Sequence, residues 1–380
     1  MELRYGTNPH QRPARAEPLT HQPIRVLSGE PSYINLLDAL AGWRLVREAG
    51  AALAKPAAAS VKHVSPAGAA IAGAIDEVIA ETYGVDASPG ALTSAYLRAR
   101  DADPKSSYGD FIAVSQPVDA ELADLLRGVI SDGIIAPDFE PGVVGALSAK
   151  KGGRFLVVQA DPGFSPPASE SREVFGLRLT ERTDDQPITG QVLTDIRCGA
   201  LTDQARADLL LGLIVLRYTQ SNSVAYLRAG KTVGIGAGQQ SRVDCTRLAG
   251  AKADSWWLRR HPAVRGLRFR DGIRKQDRLN WRIRYLEGDL TPNEVIGFRA
   301  ALLEEPAPFT DRADWLERLN DISFVSDGAL PFRDNIDHAH RHGARFVAEP
   351  GGSIRSDDVE RACRELGVTL VRTGLRLFRH

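Results

Sequence analysis

A chain of 380 residues, 43% apolar and 25% charged, has the makeup of a globular protein with material for two domains or one large bilobal unit. Its 48 basic and 48 acidic residues cancel, which removes any global electrostatic case for nucleic acid or an anionic membrane and leaves only a local anion pocket open. The three scattered cysteines, Cys198, Cys245 and Cys363, form no CxxC pair and fit reduced thiols in the cytoplasm. The start Met1-Glu2-Leu3-Arg4 is not a signal peptide, and the longest apolar run, 209–216, is too short to span a bilayer.

In chain order, residues 3–11 are dense in hydrogen-bonding groups and by themselves read as a solvated turn. Residues 11–25 carry Pro13, Pro18 and Pro23 and read as coil. A helix is expected over 33–47, with Asn35 early enough to cap it or touch a ligand. A strand over 57–61 closes on Lys62-His63-Val64-Ser65-Pro66. Lys62 and His63 could act as cation and base on one substrate, but successive strand residues face opposite ways, so both reach one ligand only where the strand end twists or loops. A surface lysine beside a core histidine has the same appearance. Helices are expected over 69–83 and 88–100, then a polar turn at 106–110 and a strand over 111–115. Helix 120–129, strand 134–137, helix 143–151 and strand 155–159 continue an alternation that indicates α/β layers. Residues 160–172 read as a linker.

The second half offers a strand over 174–179 and a long helix over 203–217. That helix ends in Tyr218-Thr219-Gln220-Ser221-Asn222-Ser223, whose hydrogen-bonding capacity must be met by backbone, ligand or ion. A hairpin is expected around Ala229-Gly230. The glycines of 234–238 follow GxGxG spacing where a dinucleotide fingerprint needs GxGxxG, so they are read as permitting close backbone approach, with Arg242 as an anion clamp. Helix 246–260 carries Trp256 and Trp257 as packing residues, and the basic stretch 265–284 reads as a solvated face. Strand 323–325, helix 335–342, strand 345–348, helix 357–366 and strand 369–371 follow, and the apolar, arginine-bearing end suggests a docked terminus.

Seven segments in this order, RYGTNPHQ (4–11), KHVSPAG (62–68), SSYGDF (106–111), YTQSNS (218–223), GIGAGQQSR (234–242), SDGALPFRDN (326–335) and LRLFRH (375–380), resemble the transformylase half of the AICAR transformylase/IMP cyclohydrolase family of purine biosynthesis. The resemblance covers essentially the whole chain. It implies an α/β fold of two cytidine-deaminase-like three-layer lobes, residues 1–170 plus 325–380 and residues 171–324, in an intertwined homodimer with shared active sites. The deaminase zinc signature is missing, as in the family, so no zinc is expected. The family's cyclohydrolase domain has no counterpart here, so no IMP cyclohydrolase activity is expected and ring closure would fall to another protein.

The implied reaction moves the formyl group of 10-formyltetrahydrofolate to the 5-amino group of AICAR (5-aminoimidazole-4-carboxamide ribonucleotide), a cytoplasmic step with no nucleic acid or membrane partner. That amine is a weak nucleophile, so the reaction needs proton removal, oxyanion stabilisation and protonation of the leaving nitrogen. By resemblance, His63 is the base or proton shuttle, Lys62 stabilises the oxyanion or protonates the leaving nitrogen, and Asn222 positions the formyl group. Arg4, Tyr5, Asn35, Ala329, Arg376 and His380 match nucleotide-side positions, the arginines suiting a phosphate or the carboxamide. Asp110, Arg242, Val243, Asn280, Pro331 and Phe332 match the folate side. A structural potassium ion is implied near Leu216, Thr219, Ser221, Ser223, Asp327 and Leu377, all offering oxygen. Two departures stand out: Ala329-Leu330 where the family carries two aromatics, and Asp138 where it has Gly. The first, with the missing domain, motivates an alternative acceptor such as a C-nucleoside analogue of AICAR. A silent nucleotide-binding dimer is a third reading, opposed by retention of Lys62, His63 and Asn222.

Overall fold

The computed structural model describes residues 1–307 and 309–380 and has the expected α/β class. Twelve strands form one mixed sheet whose halves repeat the same plan. The first half comprises β1 (Ile24–Ser28), α1 (Tyr33–Leu53), β2 (Ala57–Lys62), β3 (Ser65–Ile71), α2 (Ala91–Asp101), β4 (Asp110–Val114), α3 (Ala120–Arg127), β5 (Ser131–Ala136), α4 (Val143–Ser148) and β6 (Leu156–Ala160). The second comprises β7 (Ile196–Cys198), α5 (Asp203–Arg217), β8 (Val224–Arg228), β9 (Lys231–Gly236), α6 (Arg242–Leu258), β10 (Ile322–Ser326), α7 (Asp334–Arg341), β11 (Ala344–Glu349), α8 (Ser356–Leu366) and β12 (Thr369–Arg372).

Strand order is β7-β12-β11-β10-β8-β9-β3-β2-β4-β5-β6-β1, so each strand of the first half has its counterpart six strands later. In both halves three parallel strands are flanked by an antiparallel edge strand and an antiparallel hairpin. The halves meet where Lys231 pairs with Ala70 and the Thr232 hydroxyl bonds both polar groups of the Ala69 backbone. Helices α1 and α5 cover one face, packing Leu45, Val46, Leu213 and Val215 onto Val61, Phe111, Ala225 and Val325. The other face carries α2 to α4 over one half and α6 to α8 over the other, around Tyr96, Leu122 and Ile134 and around Trp256, Phe324 and Ile336. Sheet residues buried from both sides read as short continuous apolar runs, which is how most of these strands were recognisable.

Several expectations change. Residues 65–71 form a strand, with a helix only at Glu77–Tyr83. The alanines there suit a helix, but pairing with β2 and a close approach by α2 override that weak preference. The edge strands β1 and β7 lie in stretches read as coil or left unassigned. Residues 169–182 form an exposed hairpin, Ser169–Val174 against Leu177–Arg182, where a linker and a single strand were expected. The segment 325–380, expected to return to the first lobe, instead supplies β11, β12 and the end of β10 to the second half, because parallel pairing runs from β10 outward. The basic stretch 265–284 lies in an insertion between α6 and β10, with helices Lys275–Glu287 and Pro292–Ala301. Some of its arginines are met by acids, Arg284 by Asp289 and Glu294 and Arg265 by Glu77 and Glu81, whereas Arg278 and Arg282 donate to backbone carbonyls. Trp257 stacks between Trp256 and Trp315 as packing.

Candidate functional site

The β2–β3 turn resolves the geometry of the Lys-His pair. Lys62 pairs with Ser65 across a two-residue loop, and both loop residues are left-handed, His63 at φ 52° and Val64 at φ 62°. A two-residue hairpin with both central φ values positive is type I′, which follows the sheet's twist and usually takes Asn-Gly. A β-branched Val in this region costs about 1–3 kcal/mol and persists only where its surroundings hold it. The holder is Asp38 of α1, whose Oδ1 accepts the Val64 N–H at 2.6 Å. Burial pushes the Asp38 carboxyl up, against the Val64 amide and the charges of His63 and Lys62. The turn leaves His63 exposed at its tip, while Lys62 Nζ donates to the carbonyls of Tyr108 (2.7 Å) and Gly109 (2.9 Å).

One turn earlier on α1 stands Asn35. Its Oδ1 accepts the Ser32 N–H at 3.0 Å and Arg4 Nη2 at 3.1 Å, so it both caps the helix and ties Arg4 to it. The Arg4 guanidinium lies 5.2 Å from the Tyr5 ring centre. Arg4, Tyr5, Asn35, Asp38 and the Lys62–Ser65 turn therefore form one connected set. Sequence reasoning missed Asp38. Its signal was a second polar residue at i+3 from Asn35 on a largely apolar helix.

The second half approaches through the loop after α5, where the Gln220 N–H reaches Ser65 Oγ at 3.3 Å. Asn222 spends its amide on neighbours: Nδ2 donates to the carbonyls of Gln239 (2.9 Å) and Gln240 (3.1 Å), and Oδ1 accepts Arg242 Nη2 at 2.7 Å. Gly234 and Gly236 lie on β9 and serve packing, because a Cβ at Gly236 would sit 2.6 Å from the Cys245 carbonyl of α6. Asp327, fully buried, is the hub of this side. Its Oδ2 accepts Ser221 Oγ (2.5 Å) and both the N–H and hydroxyl of Ser223 (2.9 Å each), and Oδ1 pairs with Arg242. Arg242 is thus neutralised by a carboxylate and is no free anion clamp. The tail is docked as expected: Leu377 N–H donates to the Asp327 carbonyl at 2.8 Å, and Ser221 N–H to that of Arg379 at 2.9 Å. Phe378 lies between Arg376 and Arg242, with the His380 ring 5.9 Å away.

Of the oxygen donors Leu216, Thr219, Ser221, Ser223, Asp327 and Leu377, the two serines bind the Asp327 carboxylate and Leu377 binds its carbonyl, while Leu216 and Thr219 lie at the end of α5 leading into Ser221. Thr219 Oγ1 donates to Val215 and the Thr219 N–H to Leu216. One carboxylate already paired with Arg242 leaves little net charge, which suits a singly charged hard cation better than a divalent one. Ala329 borders the loop half-buried, but Leu330 is in the core beside Phe324 and Ile336, so any reshaping of the cleft by that pair falls to Ala329. Pro331 is half-buried, Phe332 is 52% exposed, and Val243 is the second residue of α6.

Two folate-side candidates lie apart from this cluster. Asp110 has no exposed surface and is bound to Arg100 (2.8 Å) and Ser60 (2.7 Å), a buried ion pair at the start of β4. Asn280 lines a cavity of about 680 Å³ between the first half and the insertion, with Tyr83, Lys105, Tyr108 and Arg274. Tyr108 also supplies a carbonyl to Lys62, so this cavity borders the Lys62 anchor from behind.

The β2–β3 turn sets an exposed histidine beside a lysine anchored on two carbonyls, and the loop after α5 meets it through the Gln220–Ser65 contact. A family model described as the AICARFT/IMPCHase bienzyme matches residues 1–252, and the chain belongs to that family. It is 33% identical over 385 residues to the bifunctional purine biosynthesis protein PurH of Roseobacter denitrificans. It is 30% identical to proteins of the same name from Rhodospirillum rubrum and a Ruegeria species. All of this chain is covered in each comparison, but only 59% of each relative.

Proposed function

We propose that this protein is a formyltransferase of purine biosynthesis, moving the formyl group of 10-formyltetrahydrofolate to the 5-amino group of AICAR. The observation carrying this reading is the type I′ turn that presents His63 beside Lys62, next to the Arg4–Asn35 pair and the Asn222 loop. His63 takes the amine proton, Lys62 faces the developing oxyanion and leaving nitrogen, and Arg4, Tyr5, Arg376 and His380 hold the nucleotide. By resemblance the folate contacts Val243, Pro331 and Phe332, with Arg242 bracing that side through Asn222 and Asp327, while Asn280 in the cavity beside the insertion and the buried Asp110 stand apart from it. A potassium ion held by the oxygens around Asp327 would stiffen the loop bearing Asn222. The repeated half-sheet supports reading each half as a cytidine-deaminase-like lobe. The exposed hairpin 169–182, with Phe175, Leu177 and Leu179 open to solvent, supports an intertwined homodimer. Among the described residues no helix is long and apolar enough to cross a membrane, and the cysteines are free, both in keeping with a cytoplasmic enzyme.

Ala329 favours one alternative: an acceptor that keeps the AICAR carboxamide and amine but is larger beside the base, such as a C-nucleoside analogue. The test is steady-state formyl transfer by the purified protein with 10-formyltetrahydrofolate and AICAR, reading tetrahydrofolate release and product mass. Rapid turnover to formylated AICAR supports the main reading. Binding of AICAR without turnover rejects it in favour of another acceptor or a silent binder.

A further inference from the structure

The repeat supplies an internal comparison for the turn that carries His63. In the second half the hairpin β8–β9 pairs Arg228 with Lys231 across Ala229 (φ 53°) and Gly230 (φ 77°), again a two-residue turn with both residues left-handed. An aspartate of the preceding helix again reaches into it: Asp208 accepts the N–H of Ala229 at 3.0 Å and of Gly230 at 2.5 Å. Asp208 is the sixth residue of α5, and Asp38 is the sixth residue of α1. The same residue at the same helix position thus clamps the same turn in both halves. In the second half, however, the turn holds Ala and Gly, with no side chain able to move a proton.

We infer that Asp38 is a positioning residue for His63: its buried carboxylate fixes the left-handed Val64 amide and thereby the direction in which the neighbouring histidine points. This rests on the formyl-transfer reading for its catalytic consequence but not for its structural one. The comparison also explains why the clamp matters more in the first half. Gly230 adopts positive φ freely, whereas Val64 does so only under restraint. Without the Asp38 contact the His63-Val64 peptide would relax toward negative φ and swing the imidazole away from the Lys62 side.

The test uses the full chain and four variants, Asp38→Ala, Asp38→Asn, Asp38→Ala combined with Val64→Gly, and Asp208→Ala. Asp38→Ala is expected to lower kcat roughly 10- to 100-fold, as misplacement of a reacting group does, with the AICAR KM little changed. Asp38→Asn, which keeps an acceptor oxygen, is expected to recover much of the loss. The double variant is the deciding one: glycine at 64 removes the need for restraint, so it should restore kcat if Asp38 acts through the backbone. Failure of that rescue would mean Asp38 acts by its charge and would overturn the proposal. Asp208→Ala should leave kcat unchanged while loosening its own hairpin. Amide exchange of segment 62–66 reads the turn itself and is expected to be faster in Asp38→Ala than in the wild type, since the Val64 N–H loses its acceptor. If the wild type transfers no formyl group, the functional reading fails and the exchange measurement still judges the clamp. Unchanged exchange in Asp38→Ala would refute it.

Discussion

His63 and Lys62 are adjacent in sequence yet differ in how the fold treats them. Lys62 is tied to two backbone carbonyls, which orient its ammonium without cancelling its charge, whereas His63 stands exposed at the turn. His63→Ala is therefore expected to abolish formyl transfer while leaving AICAR affinity, measured by calorimetry, within a few-fold of wild type; activity retained within a few-fold would remove His63 from the base role. These two residues stood out in sequence because two chemically distinctive side chains sit side by side in a short motif. The turn beneath them was not, since a type I′ loop is usually announced by Asn-Gly and here reads His-Val. Asp110 shows the opposite limit. Its motif singled it out, but only the structure places its carboxylate against Arg100 in the interior.

Among the elements, the hairpins and the helices over them are set by glycines. A Cβ on Gly68 of β3 would sit 2.0 Å from the Ala99 carbonyl of α2, and one on Gly234 of β9 would sit 2.2 Å from the Ala249 carbonyl of α6. Each glycine lets a helix backbone rest directly on a strand, and the two contacts correspond in the repeat. Gly68→Ala and Gly234→Ala should each push a helix off the sheet and cost about 1–3 kcal/mol, read as a lower denaturant midpoint. An unchanged midpoint would show that the helices can shift at no cost. The alternation of strands and helices was readable from apolar runs and breakers. The strand over 65–71 was not, because Ala and Gly at those positions serve close packing and carry no β-preference of their own.

For the molecule as a whole, a buried ion cluster joins the halves beside their shared core. Asp101, at the end of α2, is fully buried and binds Trp256 Nε1 (2.9 Å), Arg259 Nη1 (2.6 Å) and Arg260 Nη2 (2.7 Å) of the second half. Burial pushes its carboxyl up, but Arg259, Arg260 and Lys231 outweigh that and hold it well below the usual carboxylate range. A carboxyl lowered on folding contributes stability that is present above its unfolded value of 3.8 and lost as pH falls below it. Asp101→Asn should lower stability at neutral pH by roughly 3–5 kcal/mol, since it leaves buried cations uncompensated, and should flatten the acid limb of the pH–stability curve. An unaltered acid limb would place the titration elsewhere. None of this was visible in sequence, where Asp101 is one acid among many. The repeat was legible only through the family resemblance, which implied two like lobes, because it survives mainly as strand order and turn geometry with few matching side chains, such as Asp38 and Asp208.

The central pairing of β3 with β9 has one more consequence. Separated from its twin, either half would end in a hairpin strand of small and apolar residues with one row of amides and carbonyls unsatisfied, the kind of border that recruits another strand. Two copies of a single half could close that border on each other and rebuild a twelve-stranded sheet. The present chain has the architecture of such a pair written into one polypeptide, with a histidine in one of the two equivalent turns and Ala-Gly in the other.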